Sequence, residues 1–411
     1  MFDFSIITLG CKVNKAESNT IADALTNSGF GVSFDFAIAN NYIINTCSVT
    51  SEADSKSRQT IAKVLKLNSS ANIFIVGCSS EFDPSVYNNP NIKLVAGTKD
   101  RGTVIDKILG IVGKCDNNKV DSQNSIVAKS STNAKSLTTF NTRAILKVQD
   151  GCDRFCSYCI VPYLRGRSVS RSLDDILAEA NELAKSTKEI LLSGICLSDF
   201  KIGNKNALVD LIKVFGTVAV QRKRIGSLHP DSITNDLLTA MVDSGFCDHI
   251  HLSIQSGSDA VLKRMNRHYT AKEVLEKIDL IRRVSPECGI TTDIIAGFSG
   301  ETEDEFNETA KFLKLACFSD AHIFAYSERS GTKAVNLEQV DKKIRNERAK
   351  LLKEIATVSK KQFINSQLGK SKTVLVENNN TGYTTNYIKV KTNNAPQNSI
   401  TTITLTTNNV L

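Results

Sequence analysis

Over the first 113 residues, short apolar runs alternate with longer stretches in which apolar residues recur every three or four positions. "FSIITLG", "NYIINTCSV" and "NIFIVGCS" have the strand pattern, while "KAESNTIADALTNSGF", stopping at Gly29, and "SEADSKSRQTIAKVLKLN" have the helical one. Strands separated by helices imply parallel pairing, so residues 1–113 are predicted to form a three-layer α/β domain. The rhythm stops over residues 114–142, "KCDNNKVDSQNSIVAKSSTNAKSLTTFNT", which reads as a linker. From 143 it resumes. "RAILKVQ", "KEILLSGI", "KRIGSL", "HIHLSIQS", "GITTDIIAGF" and "DAHIFAYS" are strands. Helices fall between them near 173–185, 207–216, 232–244, 259–283 (broken about 268) and 301–315. Six β/α units predict a partial (β/α)6 barrel over 143–366, with its chemistry at the C-terminal strand ends. A long helix at about 338–366 closes that region. The tail, 367–411, alternates Thr, Val, Ile and Asn and predicts a small β-barrel of the oligonucleotide-binding size.

Composition narrows the classes. A chain of 411 residues exceeds one average domain, and 41% hydrophobic with 23% charged residues is ordinary for a soluble globular protein. No apolar run approaches the roughly 18 residues that span a membrane. "MFDFSIITLGCKVN" has no basic leader and reads as a buried strand, which predicts a cytoplasmic protein. In a reducing compartment, eleven cysteines favour metal ligation, catalysis or burial over disulfides. The net charge of +8 is concentrated: residues 341–372 hold ten Lys or Arg against three Asp or Glu. Such a cluster fits a polyanion such as nucleic acid, and equally a solvated helix face.

Two cysteine sets carry candidate chemistry. Cys152, Cys156 and Cys159 lie in "GCDRFCSYCIVPYLRGR", just past the first barrel strand. A structural zinc site takes four ligands, usually as two pairs, whereas this segment offers three thiols and no histidine. Three thiolates suit an iron–sulfur core that keeps one position open. Cys11, Cys47 and Cys78 each follow a predicted strand, at the edge where open α/β sheets gather ligands. They are either buried small hydrophobes or three ligands brought together by topology.

The Cys-x3-Cys-x2-Cys loop resembles that of the radical S-adenosylmethionine (SAM) superfamily, and further motifs extend the likeness. "TLGCKVNKAES", "INTCSVTSEADSKSRQ" and "VGCSSE", then "HIHLSIQSGSDAVLKRMNRHYT", "ITTDIIAGFSGETEDEF" and finally "GYTTNYIKVK" resemble the methylthiotransferases. In that family the tail is a TRAM domain, a small RNA-binding β-barrel. The resemblance implies two 4Fe–4S clusters, one on Cys152, Cys156 and Cys159 and an auxiliary one on Cys11, Cys47 and Cys78. It implies cleavage of SAM to a radical, sulfur insertion at an unreactive carbon and methylation by a second SAM. "LGCKVN" resembles the branch acting on threonylcarbamoyladenosine beside the tRNA anticodon. Isopentenyladenosine and a ribosomal-protein aspartate remain alternative substrates, and a zinc-containing RNA-binding protein is the non-enzymatic alternative. The partners implied are the tRNA anticodon arm, an electron donor and a sulfur source, with the chain a monomer. Tyr158, Ser193, Gly194, Gln255, Ser256, Arg267, Ile295 and Gly297 are expected around SAM. Arg165, Arg167, Arg171, Lys342, Lys343 and Arg345 are expected to meet RNA phosphate. His229 and Cys196 depart from the family pattern, where glutamate and histidine are expected, and either is placed to border the cavity. Cys115, Cys196, Cys247, Cys288 and Cys317 are expected to bind no metal.

Overall fold

The computed structural model describes residues 1–113 and 142–411, so the expected linker and Cys115 lie outside the described residues. These residues fall into two compact units. One comprises 1–113 together with Tyr163–Arg165; the other comprises 142–162 and 166–411.

The first unit has five parallel strands, β1 Phe2–Thr8, β2 Val32–Phe34, β3 Ala39–Thr46, β4 Asn72–Gly77 and β5 Ile92–Ala96, in the order β2-β1-β3-β4-β5. Its helices are α1 Lys12–Asn27, α2 Ser51–Leu67, α3 Cys78–Phe82 and α4 Val104–Val112. Strand alternation feeds two cores. Phe4, Ile6, Ile43, Phe74 and Val76 pack with Ile21 and Leu25 of α1 and with Val104 and Ile108 of α4. Ile7, Tyr42, Ile44, Ile73 and Ile75 pack with Val64 of α2 on the other face. Each of these large side chains contributes roughly 1.5–3 kcal/mol on full burial, which fixes the strand register. The three layers are those expected; β2, β5 and α4 were not singled out by the sequence pattern.

The second unit begins with β6 Arg143–Asp150, then a short helix, α5 Val161–Arg165, whose last three residues pack with the first unit. There follow β7 Val169–Ser170, α6 Leu173–Ala184, β8 Glu189–Gly194, a small hairpin of β9 Lys201–Ile202 and β10 Lys205–Asn206, α7 Leu208–Gly216, β11 Arg222–Ile225 and α8 Asn235–Asp243. Next come β12 His249–Gln255, α9 Asp259–Arg264, α10 Ala271–Val284, β13 Gly289–Ala296, α11 Glu303–Ala316 and β14 Asp320–Ala325. Sheet orders β11-β8-β6-β7 and β12-β13-β14 are joined by a parallel bridge from Leu228 to Leu252. The six expected strands thus run parallel in one open, partial barrel, with β7 antiparallel on the edge of β6. Leu146, Val148, Ile190, Leu192, Ile250, Leu252, Ile290 and Ile294 face the helices.

The basic helix is α12 Lys342–Gln367, capped by Asp341. The tail is a four-stranded antiparallel sheet of β15 Ser371–Val376, β16 Thr381–Thr384, β17 Lys389–Lys391 and β18 Ile400–Thr404, in the order β17-β16-β15-β18. It clusters with the barrel in one unit, and charged side chains explain why. Fully buried Glu189 pairs with Arg143 at 2.9 Å, Arg222 at 2.7 Å and Arg224 at 3.0 Å. Arg222 and Arg224 then donate to the Thr384 carbonyl at 3.1 and 2.7 Å. Lys372 of β15 reaches back to Glu287 at 2.6 Å and Asp248 at 3.2 Å. Among the described residues, no helix is long and apolar enough to cross a membrane.

Candidate metal centres

In the first unit, register brings three strand ends together: Thr8 lies beside Asn45, and Thr46 beside Gly77. Cys11 caps α1, Cys47 follows β3 directly, and Cys78 opens α3. Two glycines let these turns approach. Gly10 has φ +97°, and a Cβ there would lie 2.6 Å from Cys47 Cβ and 2.8 Å from its Sγ. Gly77 has φ +107°, and a Cβ there would lie 2.6 Å from the Thr46 carbonyl. Asn14 ties the turns, donating to the carbonyls of Leu9 at 2.9 Å and Thr46 at 2.8 Å. Burial pushes the Cys47 and Cys78 thiols up; each also feels Cys11, while Arg165 opposes the rise at Cys78. The three thiols share one electrostatic neighbourhood, Cys47 and Cys78 buried and Cys11 exposed, and soft sulfur donors in a glycine-lined site fit an iron–sulfur core.

In the second unit the loop after β6 holds the other three. Gly151 has φ +70° and sits so close to Arg167 that a Cβ would lie 2.0 Å from its carbonyl oxygen. The Cys152 N–H donates to the Gly166 carbonyl at 3.1 Å, the Ser157 N–H to Met265 at 3.0 Å, and Asn266 Nδ2 to the Arg154 and Phe155 carbonyls at 3.1 Å. The loop is therefore held from both sides. Burial pushes the Cys159 thiol up to about 12, with Cys156 adding to it, and burial also raises Cys156. Cys152 is instead lowered, first by a hydrogen bond from Cys196. Cys152, Cys196 and Asp199 have ligand atoms within 4.8 Å of one another. Cys196 Sγ lies 3.2 Å from Asp199 Oδ2, and Arg154 grips that carboxylate at 2.6 and 3.0 Å. The thiol at the position where histidine was expected thus touches the first cysteine of the loop, which spacing alone did not reveal.

Beside this loop stands a polar group built on Arg267. Its guanidinium donates to Tyr158 Oη at 2.8 Å and to His229 Nδ1 at 2.8 Å. Burial foremost, then Arg267 and Arg154, push His229 down to about 2, so the ring is neutral and accepts. His229 is more than the turn residue its place before Pro230 suggests. Arg267 Nε is buried without a partner, and no carboxylate among the described residues pairs with this guanidinium. Tyr158 packs edge-on against Phe298 at 6.3 Å and shares a cluster with Ile295.

The other expected SAM positions divide. Ser193 and Gly194 end β8, and Gln255 ends β12 with φ +80°, a strained conformation for a non-glycine residue. The Ser256 hydroxyl is occupied by Thr309 at 3.2 Å and the Ser258 N–H at 3.2 Å. Gly297, φ +67°, is pressed against Arg345, whose Cγ would lie 2.6 Å from an added Cβ.

Two expected RNA contacts are placed differently by the structure. Arg165 has a side chain only 1% exposed and pairs with Glu17. Arg345 is 7% exposed, donating to Glu328 at 2.7 Å and the Val340 carbonyl at 2.6 Å. Neither guanidinium is open to a phosphate, because an acidic partner distant in sequence takes it inside. Arg171 is half-buried against Glu179 and the Lys147 carbonyl. Arg167, 73% exposed, and Lys342 and Lys343 remain at the surface.

A family model described as Radical SAM superfamily matches residues 146–313, and one described as Uncharacterized protein family UPF0004 matches residues 3–97. The chain is 35% identical over 379 residues to the threonylcarbamoyladenosine tRNA methylthiotransferase MtaB of Chlamydia pneumoniae, covering 91% of this chain and 86% of that protein. It is 33% identical to the tRNA-2-methylthio-N(6)-dimethylallyladenosine synthase of Clostridium tetani, covering 87% and 81%. Among solved structures, the radical SAM methyltransferase TsrM of Kitasatospora setae has the same fold, with a TM-score of 0.53 at 13% identity over 78% of this chain and 73% of that one. Similarity at this level over nearly the whole length, with both cysteine sets at strand ends, settles the relationship: the chain belongs to the methylthiotransferase family of radical SAM enzymes.

Proposed function

We propose that this chain adds a methylthio group to carbon 2 of N6-threonylcarbamoyladenosine next to the tRNA anticodon. The observation that carries the reading is the pair of cysteine triads, each at the C-terminal strand ends of its own α/β unit. Cys152, Cys156 and Cys159 would hold one 4Fe–4S cluster, and Cys11, Cys47 and Cys78 the auxiliary one. With SAM bound, these groups supply one-electron activation of a C–H bond and a sulfur for insertion, chemistry that acid–base side chains cannot perform.

The chain's own residues bind and orient. The Arg267 guanidinium, whose buried Nε–H has no partner and with which no carboxylate among the described residues pairs, suits the methionine carboxylate of SAM, since a buried cation without an anion is costly. Neutral His229 and Tyr158 fix its plane. Ser193, Gly194, Gln255 and Ile295 line the strand ends around it, whereas Ser256 and Gly297 support the walls. Arg167 and the exposed lysines of α12 would track phosphate, which positions RNA without reading its sequence. The adenine would leave its stack to reach the loop. In this reading an electron donor and a sulfur source are further partners, and a tRNA substrate supports a cytoplasmic location.

The similar dimethylallyladenosine synthase favours a second substrate reading, the isopentenyl nucleoside. Mass spectrometry of tRNA nucleosides from cells with and without the gene separates them. Loss of methylthiolated threonylcarbamoyladenosine alone is expected; loss of only the isopentenyl product would transfer the assignment.

A further inference from the structure

Arg165 follows Cys159 by six residues, yet its side chain lies in the N-terminal unit. Its hydrogen bonds fix it there. Nη1 donates to Glu17 Oε1 at 2.9 Å, Nη2 to Glu17 Oε2 at 3.1 Å and to Asn14 Oδ1 at 2.9 Å, and Nε to Cys78 Sγ at 3.4 Å. Asn14 Oδ1 lies 3.4 Å from Cys11 Sγ, so the same guanidinium sits between two of the three thiols. A fork on Glu17 alone would account for an ion pair. It would not account for the Nε–H aimed at sulfur, nor for the near-complete burial of the cation.

We infer that Arg165 is a positioning residue of the auxiliary metal centre: its guanidinium orients the Cys78 thiolate and stabilises the negative charge that a reduced cluster gains. The inference rests on the auxiliary-cluster reading above. Three thiolates, two of them buried, and a reduced iron–sulfur core concentrate negative charge in one place. Hydrogen bonds to the sulfurs and net local charge are what set the potential of such clusters. Glu17 offsets part of the arginine's charge but is itself shared with Arg101, 3.8 Å away. Two guanidiniums thus face one carboxylate beside these thiols.

The test uses the full chain with Cys152, Cys156 and Cys159 all changed to Ala, reconstituted anaerobically with iron and sulfide, so that only the auxiliary cluster is read. In an EPR-monitored titration the cluster takes up one electron from dithionite, which is oxidised. Arg165→Gln is expected to lower the midpoint potential by the equivalent of about a tenfold change in the reduced-to-oxidised ratio, about 59 mV for one electron. Arg165→Lys keeps the charge but not the Nε–H, and recovers part of that shift. Wild-type potential in Arg165→Gln, with iron and sulfide retained, overturns the inference. If Arg165→Gln takes up no cluster, Arg165→Lys decides: a lowered potential supports the role, and a wild-type potential overturns it. If the chain with Arg165 intact takes up no iron, the auxiliary-cluster reading falls, and the inference with it.

Discussion

At the scale of single residues, the two cysteine triads should fail in different ways. Cys152→Ala, Cys156→Ala or Cys159→Ala is expected to abolish 5′-deoxyadenosine formation from SAM. Cys11→Ala, Cys47→Ala or Cys78→Ala should spare it and stop methylthiolated nucleoside; chromatography of both products checks the split. Arg267→Met should raise the SAM concentration at half-saturation roughly tenfold or more, equivalent to about 1.4 kcal/mol. An unchanged binding isotherm would remove Arg267 from the carboxylate site. The placement of both cysteine sets after strands was legible in the sequence because spacing and strand ends are local features. Arg165 and Arg345 were not. A basic residue reads as exposed until its partner is known, and Arg165 finds Glu17 148 positions away. Cys196 was read as unligated and as placed to border the cavity, and only the fold lays its thiol within 4.8 Å of Cys152 and Asp199.

Among the elements, most runs long enough to show a period were found, β5 and α4 being the exceptions, and the two-residue strands β7, β9 and β10 were not, because two residues carry no period. Helix ends moved by a few residues where caps decided them. The break expected near 268 is the gap between α9 and α10, where Thr270 and Glu273 form a capping box. Invisible from pattern was Glu189, one acid among three arginines. Burial alone would raise its pKa, but Arg224, Arg143 and Arg222 outweigh burial and hold the carboxyl below its ordinary 4.5. A folded-state pKa below the unfolded value contributes stability that is complete above the unfolded value and lost as pH falls through the folded one. Thermal stability should therefore fall below about pH 4.5 in the wild type, and less steeply in Glu189→Gln. Glu189→Ala, which takes the carboxylate from two buried cations, Arg222 and Arg224, should cost about 3–5 kcal/mol at neutral pH. An unchanged melting temperature would show that the cluster is not needed. On α12, exposed Lys342, Lys343 and Lys350 flank buried Arg345 and Arg348. Neutralising the three lysines should weaken binding to all tRNAs alike. It should also reduce the salt dependence by roughly 0.7–0.9 in log–log slope for each phosphate no longer neutralised. Unchanged affinity and slope would place the RNA elsewhere.

On the scale of the whole molecule, the pattern predicts a three-layer α/β region, a partial barrel and a small β-barrel tail; the first two architectures are present, and the tail is a four-stranded antiparallel sheet that clusters with the barrel. What pattern could not supply is the tail's attachment. Arg222 and Arg224 give their outer N–H groups to carbonyls of Thr373, Thr384 and Thr385, so removing residues 367–411 would strip acceptors from two buried cations. Truncation therefore confounds RNA binding with barrel stability, and the lysine variants on α12 are the cleaner probe. The claim on which everything else depends is that both triads hold iron–sulfur clusters. Iron, zinc and acid-labile sulfide should be counted on anaerobically reconstituted full chain, and on chains with either triad changed to Ala. About eight irons and eight sulfides are expected for the full chain and about four of each for either variant. Zinc without sulfide, or no loss of iron when either triad is removed, would contradict it.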